Sequence, residues 1–393
     1  MKWGRAGLPR MCGDGAVSEG LMAVLWLCGP PGVGKTSVGW EIYSRLTRTG
    51  MRIGYVDIDQ LGICYPERSS DPGRHRMKAR NLRAVIAGFQ TAGIGCVVVS
   101  GVVDPGHGVP VDELPHVVLT VCRLRADRTE LRRRFLGRQG QLERVDEVLR
   151  EAEEMDVSTV AELCVDTTGL SVVGVARQVL ARVHGWPVST GPSRPAVAAP
   201  TGSTAGAADG PVLWLTGATG VGKSTAGFAV YQKALRTGQM IGYLDLDQIN
   251  HRHPAAIDHR VRAESMAAIW RTYRGAGAQG LVVVGPVDDE ATVTRYAEAL
   301  PRATITLCRL HADRDQLIKR IMQRGQGGSW SAPGDSLVGQ PPARLLRIAD
   351  HAVLRAQALE RAAIGLRIDT NTRTAEQTAD RVLAQSGWLA RRG

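Results

Sequence analysis

Lysine is scarce in this chain of 393 residues: only six occur, Lys2, Lys35, Lys78, Lys223, Lys233 and Lys319, although Lys and Arg together number 49. Aromatic residues are also few, at 5% with three Phe, and no apolar run approaches the ~18 residues of a membrane span. The first absence makes every lysine position informative, and the second excludes a membrane-spanning helix. The seven cysteines (Cys12, Cys28, Cys64, Cys96, Cys122, Cys164, Cys308) are odd in number and scattered. They form neither a disulfide framework nor a metal-ligand spacing, and read as small core residues in a reducing cytoplasm. The short apolar run after Met1-Lys2-Trp3-Gly4-Arg5 leads into a Gly-rich loop, so it is expected to be a core strand and not a signal peptide.

Two of the six lysines close the pattern G-x-x-x-x-G-K-[ST]: Gly29-Pro30-Pro31-Gly32-Val33-Gly34-Lys35-Thr36, followed by Ser37, and Gly217-Ala218-Thr219-Gly220-Val221-Gly222-Lys223-Ser224, followed by Thr225. Each copy follows an apolar run and precedes a helical pattern, the strand-loop-helix context the motif requires. Backbone N–H groups and a helix N-terminus then cradle phosphate, Lys adds a compact point charge, and Thr36 or Ser224 offers a hydroxyl to Mg²⁺.

Around these loops the chain aligns with itself. Tyr43 matches Tyr231, Gly50 matches Gly238, Asp57-Ile58-Asp59-Gln60 matches Asp245-Leu246-Asp247-Gln248, and Cys122-Arg123-Leu124 matches Cys308-Arg309-Leu310. Residues 187–210 are almost entirely Pro, Ala, Gly, Ser, Thr and Val, the composition of a flexible linker. The expected organisation is a first domain over 1–186, a linker over 187–210 and a second domain over 211–393. Strand-like runs are expected near 22–28, 52–57, 95–100, 117–122 and 163–166, and again near 212–216, 240–245, 280–284, 303–308 and 366–369. Helical patterns separate them. This alternation predicts an α/β fold: two tandem P-loop domains, each a parallel sheet with helices on both faces.

At period two along a strand, the carboxylates of each Asp-x-Asp point the same way while Ile58 or Leu246 enters the core. Such a pair across from a phosphate loop can hold hydrated Mg²⁺ and orient or deprotonate a substrate hydroxyl. P-loop ATPases carry an acid on the strand that helps hold the metal, but here Val99 is followed by Ser100-Gly101 and Val284 by Gly285-Pro286. That absence argues against an AAA-type motor and leaves charge compensation to the Asp-x-Asp, with Asp104 and Asp288 on the substrate side. Downstream, Arg134 and Arg138, like Arg320 and Arg324, are spaced for one helical face, suited to a lid over ATP that stabilises charge on the transferred phosphoryl group.

With these motifs, each half resembles the P-loop kinases of the gluconate, shikimate, adenylylsulfate and antibiotic phosphotransferase group. Val165-Asp166-Thr167-Thr168 and Ile368-Asp369-Thr370-Asn371 match that group's segment near the adenine. The resemblance implies ATP and Mg²⁺ as cofactors, Asp57 and Asp245 with Thr36 and Ser224 serving the metal, and Asp59 and Asp247 the acceptor hydroxyl. It implies further that Lys35, Lys223, Arg134, Arg138, Arg320 and Arg324 meet the phosphates, bound by Gly29, Gly32, Val33, Gly34 and Ser37 and by Gly217, Gly220, Val221, Gly222 and Thr225. The basic segments Asp71 to Arg76 and Asp258-His259-Arg260 are expected to wall the acceptor pocket, and Gly325 to Pro342 lengthens the second lid.

The reading is therefore a kinase acting on a small hydroxylated molecule. Two alternatives stand beside it: a nucleotide-dependent regulator or assembly ATPase whose halves close on ATP, and a nucleic-acid end kinase. The net charge of +11 raises the last, but the Arg residues spread along the whole chain and are densest in the lids, which disfavours a nucleic-acid partner.

Overall fold

The structure is a computed structural model that describes residues 21–139, 142–186, 209–254, 258–327 and 335–389. In its first half, β1 (Met22–Cys28), α1 (Lys35–Thr47), β2 (Ile53–Asp57), β3 (Cys64–Tyr65), α2 (His75–Thr91), β4 (Cys96–Ser100), β5 (Val117–Arg125), α3 (Arg128–Gln139), α4 (Val145–Val157), β6 (Leu163–Asp166) and α5 (Val172–Arg182) follow in order. The second half runs β7 (Gly210–Thr216), α6 (Lys223–Leu235), β8 (Ile241–Asp245), β9 (His251–His253), α7 (His259–Gly275), β10 (Gly280–Val284), α8 (Glu290–Ala299), β11 (Ala303–His311), α9 (Arg314–Gly325), α10 (Pro342–Ala362), β12 (Leu366–Asp369) and α11 (Ala375–Ser386). Of the expected linker, 187–208 lies outside the described residues, as do Cys12 and part of the long second lid. Gly210 already belongs to β7, so the linker as expected runs too far.

Two six-stranded sheets result, ordered β6-β5-β1-β4-β2-β9 and β12-β11-β7-β10-β8-β3. Five strands of each sheet run parallel to one another, β6-β5-β1-β4-β2 and β12-β11-β7-β10-β8, and β1, β4 and β10 are buried along their whole length, as continuous apolar runs covered on both faces must be. The edges differ from the expectation of purely parallel sheets within each sequence half. β9, from the second half, pairs antiparallel with β2, Ile53 facing His253 and Tyr55 facing His251. Reciprocally β3, from the first half, pairs antiparallel with β8, Cys64 facing Gly242 and Tyr65 facing Ile241. Each exchanged strand is followed by a proline, Pro66 or Pro254, whose missing N–H ends pairing. The exchange covers an edge that would otherwise expose unpaired N–H and C=O groups.

Helices α2 and α7 pack on each other between the sheets. Gly88 lets them approach closely, since a Cβ there would stand 2.7 Å from Val261 Cγ1. A single apolar cluster joins Trp26, Val97, Phe89 and Leu82 of the first half to Trp214, Leu244, Trp270 and Tyr273 of the second. Polar ties reinforce it: the Tyr273 hydroxyl donates to the Leu61 carbonyl at 3.1 Å and Asn81 Nδ2 to the same carbonyl at 2.7 Å. On the outer face of each sheet lies a separate core, around Leu25, Val98 and Phe135 on one and Leu215, Val282 and Ile321 on the other. No helix among the described residues is long and apolar enough to cross a membrane.

Candidate phosphate-binding sites

Each phosphate loop leaves the carboxyl end of a central strand, β1 or β7, and turns into a helix. The first Gly cannot be replaced, because at Gly29 (φ 139°) a Cβ would lie 2.3 Å from the Leu124 carbonyl oxygen, and at Gly217 (φ 149°) 2.7 Å from that of Leu310. Gly34 and Gly222 precede α1 and α6 in the left-handed conformation, and neither helix has a side-chain cap or an acid in its first turn. The first-turn N–H groups and the positive end of the helix dipole are thus left to an outside anion. Ser37 and Thr225 lie exposed on that turn. Val33 and Val221 are buried side chains that anchor the loop from beneath.

The lysines lie back along their loops: Lys35 Nζ donates to the carbonyls of Gly29 (2.6 Å) and Pro30 (3.0 Å), and Lys223 Nζ to those of Gly217 (3.0 Å) and Ala218 (3.1 Å). Two of three ammonium donors are so engaged, and the third remains for phosphate. Burial pushes both lysines below their usual range. Against that, Lys35 has the carboxylates of Asp59, Glu151 and Asp57 near it, whereas Lys223 has Asp247 and Asp245 but also Arg355 and Arg324.

β2 ends at Asp57, and Asp59 belongs to a short 3-10 turn, so the strand periodicity expected of the pair is replaced by a side-chain-capped turn. The Asp59 N–H donates to Asp57 Oδ1 at 3.1 Å, and the Asp247 N–H to Asp245 Oδ1 at 3.0 Å. The other carboxylate oxygen accepts from the loop hydroxyl, Thr36 to Asp57 at 3.3 Å and Ser224 to Asp245 at 2.7 Å. Burial, followed by the neighbouring Asp, raises Asp57 and Asp245 to about 6. A hydroxyl beside a desolvated carboxylate is a hard-oxygen donor set that fits Mg²⁺. No group of three or more acidic, His or Cys side chains able to hold a metal occurs among the described residues.

The second Asp of each pair meets a cation that the sequence reading overlooks. Lys78 Nζ donates to Asp59 Oδ1 at 2.8 Å, and Arg262 Nη1 stands 3.6 Å from Asp247 Oδ1. Lys78 and Arg262 occupy the same place on α2 and α7, four residues into each helix, and the rarity of lysine was the signal that marks Lys78. His259 Nε2 lies 3.7 Å from Asp288, and Asp104 is within electrostatic reach of His75, so each acid expected on the substrate side lies near the first residue of the helix that carries Lys78 or Arg262. The basic segment before α2 behaves otherwise. Arg74 stacks 3.8 Å over the Tyr65 ring and pairs with Glu67, and Arg76 pairs with Asp112 and Glu113. They brace the exchanged strand and the segment between β4 and β5.

Arg134 and Arg320 do not extend as a free lid. Arg134 donates to the Val33 carbonyl (3.3 Å) and to the Thr167 hydroxyl and carbonyl (both 2.9 Å), and its Nε to Glu130. Arg320 repeats the pattern on Val221 (3.1 Å) and Thr370 (3.0 and 2.5 Å). Each guanidinium therefore straps the phosphate loop to the turn after the last strand. Arg324 pairs with the buried Asp335, and the side chain of Arg138 lies outside the described residues. Beside the Arg134 strap, a cleft of about 600 Å³ opens past the ends of β5 and β6, lined by Arg125, Asp127, Asp166 and Thr168 among others. The buried thiols Cys28, Cys64, Cys96, Cys122 and Cys308 are pushed up to about 12 by burial, which makes them inert packing groups.

Residues 25–157, about a third of the chain, match the model of the AAA domain family. No curated protein matches the chain. Among solved structures, the chain is similar to the Deinococcus radiodurans tunicamycin resistance protein (17% identity, TM-score 0.31, covering 46% of this chain and 97% of that one). It is likewise similar to a gluconokinase from Sinorhizobium meliloti 1021 (16%, TM-score 0.30, 46% and 94%) and to the Mycobacterium tuberculosis APS kinase in complex with AMPPNP and APS (18%, TM-score 0.29, 45% and 96%).

Proposed function

We propose that this chain is an ATP- and Mg²⁺-dependent kinase of a small hydroxylated molecule, built from two copies of one P-loop unit and working in a reducing cytoplasm. One observation carries the reading. In each half a phosphate-loop hydroxyl bonds to the Asp that closes the second strand, and two residues on, a second Asp pairs with a cation from the following helix.

In this reading the loop N–H groups and Lys35 or Lys223 hold the polyphosphate. Thr36 with Asp57, and Ser224 with Asp245, would hold Mg²⁺, which when bound neutralises charge on the phosphates. Asp59 or Asp247 accepts the proton of the acceptor hydroxyl as its oxygen bonds to the γ-phosphorus. The bond from that phosphorus to the β–γ bridging oxygen breaks, and ADP leaves with the electron pair. Lys78 or Arg262 fixes the accepting carboxylate in place, a positioning role. Arg134 and Arg320 keep the loop and the Thr167 or Thr370 turn at a constant separation, the turn being where adenine would lie.

The exchanged strands and shared core count against a regulator whose two free halves close on ATP. The test is transfer of radiolabel from γ-labelled ATP to a panel of hydroxylated metabolites and antibiotics. A labelled product is expected, and a protein that binds ATP yet labels no acceptor would overturn the assignment.

A further inference from the structure

The helices that follow α3 and α9, α4 and α10, are anchored at equivalent points, so their residues can be set in register without reference to sequence. On β5, the Arg123 guanidinium donates to the Met155 carbonyl and stands 3.1 Å from Asp156. On β11, Arg309 donates to the Leu359 carbonyl at 2.9 Å and stands 2.8 Å from Glu360. Met155 thus corresponds to Leu359, and the buried positions keep step, Val145 with Ala349 and Val148 with Ala352. One helical turn before the anchor, Glu151 of α4 occupies the place of Arg355 of α10.

Glu151 comes within electrostatic reach of Lys35, and Arg355 within reach of Lys223. Arg355 also pairs with Asp288, in the loop that follows the strand end of β10. The helices carry the same contrast: α4 has six acids against one Arg, α10 four Arg against two acids. A polyphosphate carries three or four negative charges, so a carboxylate at this position opposes it and a guanidinium draws it in.

We infer that the two loops have divided the work: the second-half loop, where Arg355 faces Lys223, binds the triphosphate and transfers its terminal phosphoryl, while Glu151 keeps the first-half loop from holding a triphosphate tightly. The inference rests on the nucleotide reading above. The strand exchange is the same in both directions, β3 beside β8 and β9 beside β2, so the division lies in the charge at this one position.

Titration calorimetry of the full chain with Mg-ATP tests this. Wild type should show one tight site, Arg355→Glu should weaken it about 100-fold, and Lys223→Ala should abolish it. Glu151 is only half-buried, so Glu151→Arg should fold and should raise the stoichiometry from one to two. Two equal sites in wild type, a tight site surviving in Lys223→Ala, or a stoichiometry left at one by Glu151→Arg would each overturn the division. Binding at neither loop would instead overturn the nucleotide reading itself, and the division with it.

Discussion

Asp245 is 4% exposed and accepts from the Ser224 hydroxyl and the Asp247 N–H. Both hydrogen bonds favour the carboxylate, yet burial outweighs them and holds its proton to about 6. A folded-state value above the unfolded one means that the folded chain binds the proton more tightly. The contribution to stability is full below the unfolded value and is lost as pH rises through about 6. In metal-free buffer, Asp245→Asn should therefore be more stable than wild type at pH 7.5, by up to about 3 kcal/mol, with the difference vanishing below about pH 4. Thermal melts across that range read it, and a constant difference at all pH values would show that packing, not ionisation, sets the cost. On the proposed function, Mg-ATP should reverse the ranking, since the amide lacks the negative charge that the carboxylate offers the metal. Residues of this kind were legible in the sequence because the Asp-x-Asp recurs at matched positions. Their pairing with Lys78 and Arg262 was not, because the two halves use different cations there and a contact across a turn has no signature in spacing, although the scarcity of lysine singles out Lys78.

At the scale of elements, strands and helices followed the apolar pattern closely, and β6 and β12 stand where Val165-Asp166 and Ile368-Asp369 placed them. The exchanged strands β3 and β9 escaped that reading, at two and three residues long, since their partners lie in the other half and no local periodicity announces them. The packing of α2 on α7 was equally hidden, although Gly88 marks its closest approach. Gly88→Leu should cost about 3 kcal/mol, because the added side chain meets Val261 and Ser265 in a filled interface. Urea denaturation measures it, and a cost below about 0.5 kcal/mol, ordinary for an exposed helix position, would mean that the helices are not held together there. The expected Arg lid became a pair of straps for a related reason: a guanidinium with carbonyls in reach satisfies its donors locally before it reaches across solvent.

For the whole molecule, a cluster that includes Trp26 and Trp214 alike makes the two sheets one cooperative body. Calorimetry should record a single unfolding transition for both halves, and two separable transitions would contradict the shared core. From the amino-acid sequence by itself came the paired phosphate loops, the acids that follow the second strands and the alternation of strand and helix, all of which depend on short spacings and apolar runs. Only the tertiary structure decided which half's edge strand closes which sheet, which cation meets each second Asp, and that Glu151 and Arg355, of opposite charge, occupy equivalent positions on helices anchored alike. Those relations join residues far apart in the chain, and burial and the packing of helices across the sheets bring them together.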